Sequence, residues 1–105
     1  MAYRNDVNFV REQVPELDVI DQLLEEIAEL QIACCKRKRS LKGTNPTPWT
    51  ADEAQQSIKE ESQDVLNVLC AMGMFGFDDP EQNSTERMKR KMARWVNRVK
   101  LKKGK

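Results

Sequence analysis

Apolar residues recur at three- and four-residue intervals along most of the chain, and no stretch alternates convincingly with a period of two. This spacing is typical of amphipathic helices and argues against strands. The pattern therefore predicts an all-α fold built from four helices. The first predicted helix covers residues 5–13. The second begins between residues 15 and 18 and ends at residue 39, the third covers residues 50–75, and the fourth covers residues 84–102.

The second predicted helix has an apolar stripe, formed by Ile20, Leu23, Ile27, Leu30 and Cys34. The stretch "SLKGTNPTPW" follows it, and the glycine and two prolines there are incompatible with a continuing helix. We therefore expect a loop between the second and third helices. Thr50 and Glu53 have the capping-box spacing that marks a helix start, so the third helix begins after this loop.

The third predicted helix ends near Phe75, where Gly73 and Gly76 weaken and then stop it. The fourth is strongly basic and has one apolar face, formed by Met88, Met92, Trp95 and Val99. Residues 100–105 should fray. A chain of 105 residues is most simply one domain, residues 1–105, and a domain this small would gain stability from oligomerisation.

The third helix places a carboxylate inside its own apolar stripe. Glu61 lies in the middle of that stripe, and Asp64, three residues later, lies at its edge. Burying an unpaired charge is costly, so this position calls for a compensating interaction. The other members of the stripe are Ile58, Val65, Val68, Leu69, Met72 and Phe75.

The second helix carries a matching acidic pair. Glu26 and Glu29 are three residues apart and can converge on one point, with Glu26 at the border of the stripe and Glu25 pointing further out. Glutamates also scatter over ordinary helix surfaces, so this segment alone is weak evidence for a site. Packed as antiparallel neighbours, however, the two helices would bring four mutually repelling carboxylates together, and divalent cations would relieve that repulsion.

Composition narrows the choice of metal. The chain has no histidine, and its three cysteines form no CxxC pair, which disfavours zinc, copper and iron sites and excludes the Glu-x-x-His pattern of di-iron bundles. All-oxygen ligation favours Mg²⁺, with Mn²⁺ as a substitute. We expect Cys34, Cys35 and Cys70 to be reduced and packed in the core.

The two acidic motifs together resemble the MazG family of all-α nucleoside triphosphate pyrophosphohydrolases, whose hallmark is EExxE on one helix and ExxD on the next. The chain has "EEIAE" at 25–29 and "ESQD" at 61–64, and the resemblance covers about residues 17–75. It implies a helical bundle completed by oligomerisation. By resemblance, Glu26, Glu29, Glu61 and Asp64 would be catalytic Mg²⁺ ligands, and Glu25 would support them from outside the coordination sphere.

The resemblance further implies hydrolysis of a nucleoside triphosphate to the monophosphate and pyrophosphate, in a homodimer or homotetramer. Enzymes specialised for dUTP, dCTP or phosphoribosyl-ATP are alternatives within the same class. Residues 30–60, between the motifs, are somewhat longer than is usual in the family, with the surplus in the loop, and an extended loop beside the pocket would affect which base is accepted.

Substrate contacts are predicted around the acidic residues. Trp49 either stacks on a base or anchors the loop on the bundle, and Asn67 either hydrogen-bonds to ribose or phosphate or is an ordinary exposed residue. Positive charge is needed for the outer phosphates. The candidates are Lys36, Arg39, Lys91 and Arg94.

Basic clusters at 36–39, 87–94 and 100–105 support a different class of function, a helical module that binds nucleic acid or regulates a partner. That alternative leaves Glu61 unexplained, so nucleic acid is the less favoured partner. No apolar run is long enough for a membrane span and the start lacks the features of a signal peptide, so we expect a soluble, cytoplasmic protein.

Overall fold

The structure, a computed structural model, describes residues 2–43, 48–74 and 86–104. These residues form helices and no strand, which confirms the all-α prediction. Contacts divide the chain into two compact units, Met1–Phe75 and Gly76–Lys105. The helices are α1 (Ala2–Gln13), α2 (Glu16–Lys42) and α3 (Ala51–Ala71) in the first unit, and α4 (Glu86–Lys103) in the second.

The helix ends differ from the predicted ones where glycine takes part. α2 continues past Arg39 to Gly43, which has a left-handed φ of 66° and donates its N–H to the Arg39 carbonyl at 3.1 Å. Only glycine adopts this conformation at no steric cost, so Gly43 determines the end of the helix. α3 stops at Ala71 and is followed by Gly73 with φ 77°. Phe75 lies outside the described residues.

The capping box at the start of α3 is confirmed. The Glu53 N–H donates to Thr50 Oγ1 at 3.1 Å, and the Thr50 N–H donates to Glu53 Oε1 at 3.0 Å. Arg37 on α2 adds a third hydrogen bond, in which its Nη1 donates to the Ala51 carbonyl at 2.7 Å. The capping box fixes where α3 begins along the chain, and the Arg37 bond joins that end of α3 to α2.

Replacing Thr50 with alanine should lower the free energy of unfolding by about 1 kcal/mol, within the range of about 0.5–2 kcal/mol that lost caps cost. The hydroxyl is the acceptor for the Glu53 N–H, which alanine would leave without its cap. Urea denaturation would measure the change. The control is Ser62→Ala, which removes a hydroxyl from an exposed interior position of the same helix; equal losses in both variants would contradict the prediction.

α2 and α3 pack as an antiparallel pair with a seven-residue repeat in each helix. Along α2 the inward positions are Val19, Glu26 and Ala33, and along α3 they are Ala54, Glu61 and Val68. The two alanines are only 3% and 2% exposed. Small side chains allow the two backbones to approach closely, so the glutamates occupy a layer next to the tightest part of the interface.

The stripe predicted for α2 was correct only in part, since Ile20, Leu23 and Leu30 are half-buried but the other two members are not. Ile27 is 45% exposed and Cys34 is exposed, whereas Val19 and Ala33 are buried. α2 carries apolar residues on more than one side, and only the side facing α3 is covered in the described unit. The predicted stripe followed the larger side chains and left out Val19 and Ala33, the two most buried residues of α2. Leu17 and Leu24, at 75% and 60% exposure, lie on the uncovered side.

The prediction for the cysteines was also partly wrong, because only Cys70 is buried and both Cys34 and Cys35 are exposed. They lie on sides of α2 that no described helix covers. The apolar face predicted for α4 is exposed as well, with Trp95 at 61%. None of the described helices combines the length and apolar character needed for crossing a bilayer.

α1 packs on α3 and completes the first unit. Val7 supplies its buried contact, and the Tyr3 hydroxyl donates to Asn67 Oδ1 at 2.6 Å. At the other end of α1, Arg11 lies so close to Gly73 that a Cβ added there would be 2.9 Å from Arg11 Nη2. Both ends of α1 are therefore held against α3 or the turn that follows it.

Candidate metal centre

Three carboxylates from two helices meet at the centre of the α2–α3 interface. Glu26 on α2 and Glu61 and Asp64 on α3 each place one oxygen within 4.8 Å of the others. Glu26 and Glu61 are half-buried, and Asp64 is exposed. The structure thus brings together three of the four predicted ligands, which we call the acidic triad. Glu26, predicted at the border of a stripe, instead lies on the packed face of α2.

Among the three residues of the acidic triad, Glu61 has the least favourable environment for a charged carboxylate. Its Oε2 is buried and has no hydrogen-bond partner. Burial raises the pKa of Glu61, and the negative charges of Glu29, Asp64, Glu26 and Glu60 raise it further. A charged carboxylate at this position therefore needs a proton or a cation to offset both its burial and its repulsion from neighbours.

Glu29 and Glu25 lie outside the acidic triad. Both are exposed on α2, although the charge of Glu29 is close enough to raise the pKa of Glu61. Glu29 is therefore at the edge of the site, and its role as a metal ligand stays a prediction. Glu25 has no such effect on Glu61, as expected for a side chain that points further out.

Gln22 orients Glu26, and sequence reasoning missed it. Its Nε2 donates to Glu26 Oε1 at 2.8 Å from one turn earlier on α2. This bond restricts the carboxylate while leaving lone pairs for a ligand. The available signal was the spacing of four residues, which places a glutamine amide beside a glutamate on the same helix face.

The donor set fits a hard divalent cation. In the part of the chain that the structure describes, none of the three carboxylates forms an ion pair with lysine or arginine. The donors are all oxygen, which suits Mg²⁺ better than zinc or copper. The buried Glu61 Oε2, which lacks a partner, is the atom that a cation would satisfy. The residues present therefore fit Mg²⁺.

A cavity of about 550 Å³ lies beside the acidic triad, between α1, α2 and α3. Gln22, the partner of Glu26, is part of its wall, and so is Asn67, one turn after Asp64. Asn67 was predicted as a candidate substrate contact. The contribution of α1, including Tyr3, was not predicted, because nothing in the sequence pattern showed where α1 would dock.

Trp49, Lys36 and Arg39 lie near the C-terminal end of α2, away from the acidic triad. Trp49 donates its indole N–H to the Lys36 carbonyl at 3.2 Å, and the Lys36 ammonium lies 5.0 Å from the centre of its ring. Of the two roles considered for Trp49, the described contacts are those of an anchor. Lys36 and Arg39 line a groove on α2. Lys36 is about three helical turns beyond Glu26, and Arg39 is nearly one turn further. Lys91 and Arg94 are exposed on α4, in the second unit.

The raised pKa of Glu61 predicts how the stability of the metal-free protein depends on pH. Because the folded state holds this proton more tightly than the unfolded state, Glu61 makes the protein less stable as pH rises from about 4 through its folded pKa. Glu61→Gln removes that effect. Thermal melts in EDTA should therefore show a gain in Tm for Glu61→Gln over wild type that grows with pH; a gain independent of pH would contradict the prediction.

No protein-family model, curated protein or solved structure matches the chain. A functional conclusion therefore rests on the chemistry of the acidic triad and of the cavity beside it.

Proposed function

We propose that the protein is a Mg²⁺-dependent nucleoside triphosphate pyrophosphohydrolase of the MazG-like all-α type, which converts a (d)NTP and water to the monophosphate and pyrophosphate. The observation that carries the proposal is the buried Glu61 Oε2, which has no hydrogen-bond partner and belongs to a carboxylate that lies beside those of Glu26 and Asp64. A protein that retains such an atom in its helix interface gives up stability for it, and cation binding explains why.

A triphosphate is the substrate class that this site and its motifs support. Its own negative charge would keep it away from three carboxylates unless cations lay between them. Bound Mg²⁺ would supply charge neutralisation at the phosphates, a more acidic water and stabilisation of the leaving pyrophosphate. The ordered motifs "EEIAE" and "ESQD" add the resemblance to the pyrophosphohydrolases described above.

Each residue of the site has a proposed role. Glu26, Glu61 and Asp64 hold the cation, and Gln22 keeps Glu26 in its ligating orientation through their 2.8 Å hydrogen bond. Glu26 or Glu29 could orient the attacking water, and we assign this role to Glu29, which is exposed at the edge of the acidic triad and would also accept the proton. Glu25 stays outside the coordination sphere in this proposal.

A homodimer or homotetramer belongs to the same proposal. The side of α2 turned away from α3 exposes Leu17 and Leu24, by 75% and 60%, and Ile32 by 56%. Burying such residues in a subunit interface is favourable, and a chain of 105 residues has a small core of its own. Sedimentation equilibrium would measure the subunit number directly.

The test is pyrophosphate release from a panel of NTPs and dNTPs with Mg²⁺. We expect equal amounts of monophosphate and pyrophosphate, no release in EDTA, and recovery when Mg²⁺ or Mn²⁺ is returned in excess. Products must be identified, because inorganic phosphate with a diphosphate would indicate a different bond broken. That result, or no release from any nucleotide, would overturn the proposal.

A nucleic-acid-binding module is the second candidate function, and α4 favours it. This helix has nine lysines and arginines against one glutamate, and all of its described residues are exposed. Affinity for DNA or RNA that falls steeply with salt, unchanged in Glu61→Gln, would support this candidate. It provides no reason for the acidic triad, which is why we place it second.

A further inference from the structure

The cavity beside the acidic triad has the size and walls of a site for a flat ring. Its volume is about 550 Å³, within the usual range of small-molecule pockets. Most of its lining is aliphatic and comes from all three helices of the first unit. The aliphatic residues are Val7, Val10, Val14, Val19, Val68 and Ala71.

The cavity and the acidic triad are linked through residues that border the cavity and neighbour the triad. Gln22 lines the cavity and donates to Glu26, so one side chain borders both. On α3, Asn67 in the cavity wall follows Asp64 by three residues, which places them on the same side of the helix. A molecule with a ring in the cavity would therefore carry its substituents toward the three carboxylates.

The polar groups of the cavity select for hydrogen-bond donors. Asp6 on α1 and Asp18 on α2 are both in its wall, and no lysine or arginine is among the described residues that line it. Ionised carboxylates accept hydrogen bonds and repel carbonyl oxygens. A ring with an amino group is complementary to this wall, whereas the one ring N–H that uracil and thymine could offer lies between two carbonyl groups, which a negative environment repels.

The Tyr3–Asn67 hydrogen bond fixes the wall opposite α2. Tyr3 donates its hydroxyl to Asn67 Oδ1 at 2.6 Å, which ties α1 to α3 across the cavity. With its oxygen engaged in this way, Asn67 presents its amide nitrogen as a donor. A ring that combines an amino donor with a ring-nitrogen or carbonyl acceptor matches both kinds of group, and cytosine, adenine and guanine have this combination.

We propose that this cavity binds the base of the nucleotide and selects bases with an exocyclic amino group, with Asp6 and Asp18 as the acceptors. The inference rests on the proposed function, because it takes the acidic triad as the site of the phosphates. It gives α1, which contributes nothing to the acidic triad, a share in specificity through Asp6, alongside Asp18 on α2.

The experiment compares kcat/KM for CTP, ATP and GTP with that for UTP, in wild type and in Asp6→Asn and Asp18→Asn. The best amino-bearing nucleotide should exceed UTP in wild type. Each variant should reduce that ratio, by up to about tenfold, because asparagine keeps an acceptor oxygen but loses the charge that strengthens the hydrogen bond. Asp21→Asn is the matched control. Asp21 is exposed on α2, the helix of Asp18, and is not in the cavity wall.

Failure of this inference differs from failure of the proposed function. If the enzyme releases pyrophosphate but uses UTP as well as any other nucleotide, or if the ratio is unchanged in both variants, the base pocket is refuted and the hydrolase stands. If no nucleotide is hydrolysed, calorimetry with CMP, AMP, GMP and UMP still tests the cavity. Binding of an amino-bearing monophosphate but not UMP, weakened by Asp6→Asn or Asp18→Asn, supports the pocket; no selective binding overturns it.

Discussion

Glu61→Gln should lower the rate of pyrophosphate release by about a hundredfold or more. Changes in residues that merely support metal ligands cost up to about a hundredfold, so loss of a ligand should cost at least as much. Glutamine keeps the shape of the side chain and removes the charge that a cation needs. Oε2 of Glu61 is buried without a hydrogen-bond partner, so the amide that replaces the carboxylate would lose its strongest candidate interaction, the one with the cation.

The control is the neighbouring glutamate. Glu60→Gln makes the same chemical change one residue away, at an exposed side chain that accepts a hydrogen bond from Gln56 Nε2 at 3.1 Å. Glu60 is outside the acidic triad, so its variant should keep nearly the full rate. Equal losses in the two variants, or full activity of Glu61→Gln, would contradict the assignment of Glu61 as a ligand.

Metal binding by the same residue has a readout that does not depend on catalysis. A ligand that binds only the folded state raises the midpoint of unfolding by mass action. Mg²⁺ should therefore raise the Tm of wild type and of Glu60→Gln, and leave Glu61→Gln nearly unchanged. Together with the pH-dependent comparison in EDTA, this separates loss of metal binding from loss of fold.

The position of Glu61 was predictable because helical periodicity fixes the direction in which a side chain leaves its helix. Its neighbours in the stripe, among them Ile58, Val65 and Val68, are half-buried as predicted. The capping box was predictable for a similar reason, since Thr50 and Glu53 interact across only three residues. Local geometry, which the chain determines by itself, was therefore accessible from the sequence.

The face of α2 that meets α3 could not be fully predicted from helical periodicity. Glu26 and Glu29 are one turn apart and equally suited to a metal site by spacing, yet only Glu26 is half-buried in the interface. The choice depends on Ala33, whose small side chain permits close approach of the helices but gives a weak hydrophobic signal. The docking of α1, which places Tyr3 beside Asn67, likewise depends on contacts 64 residues apart in sequence.

The second large effect is expected from a substitution in the layer of alanines, Ala33 and Ala54, that lies next to the acidic triad. Ala33 is 3% exposed and Ala54 on the facing helix is 2% exposed, so neither has room for a larger side chain. Ala33→Leu should lower the free energy of unfolding by about 1–3 kcal/mol through overpacking. Because Glu26 lies two turns away on the same inward face, separating the helices at Ala33 should also move it from Glu61 and reduce Mg²⁺ binding.

The matched control is Ala28→Leu, which adds the same atoms to an exposed position of the same helix. Urea denaturation in EDTA measures the packing cost alone, and the rise in Tm with Mg²⁺ measures the state of the acidic triad. Ala33→Leu should lose stability in the first and much of the response in the second, while Ala28→Leu keeps both. A stable Ala33→Leu with a full Mg²⁺ response would show that the distance between α2 and α3 at this layer does not set the spacing of the carboxylates.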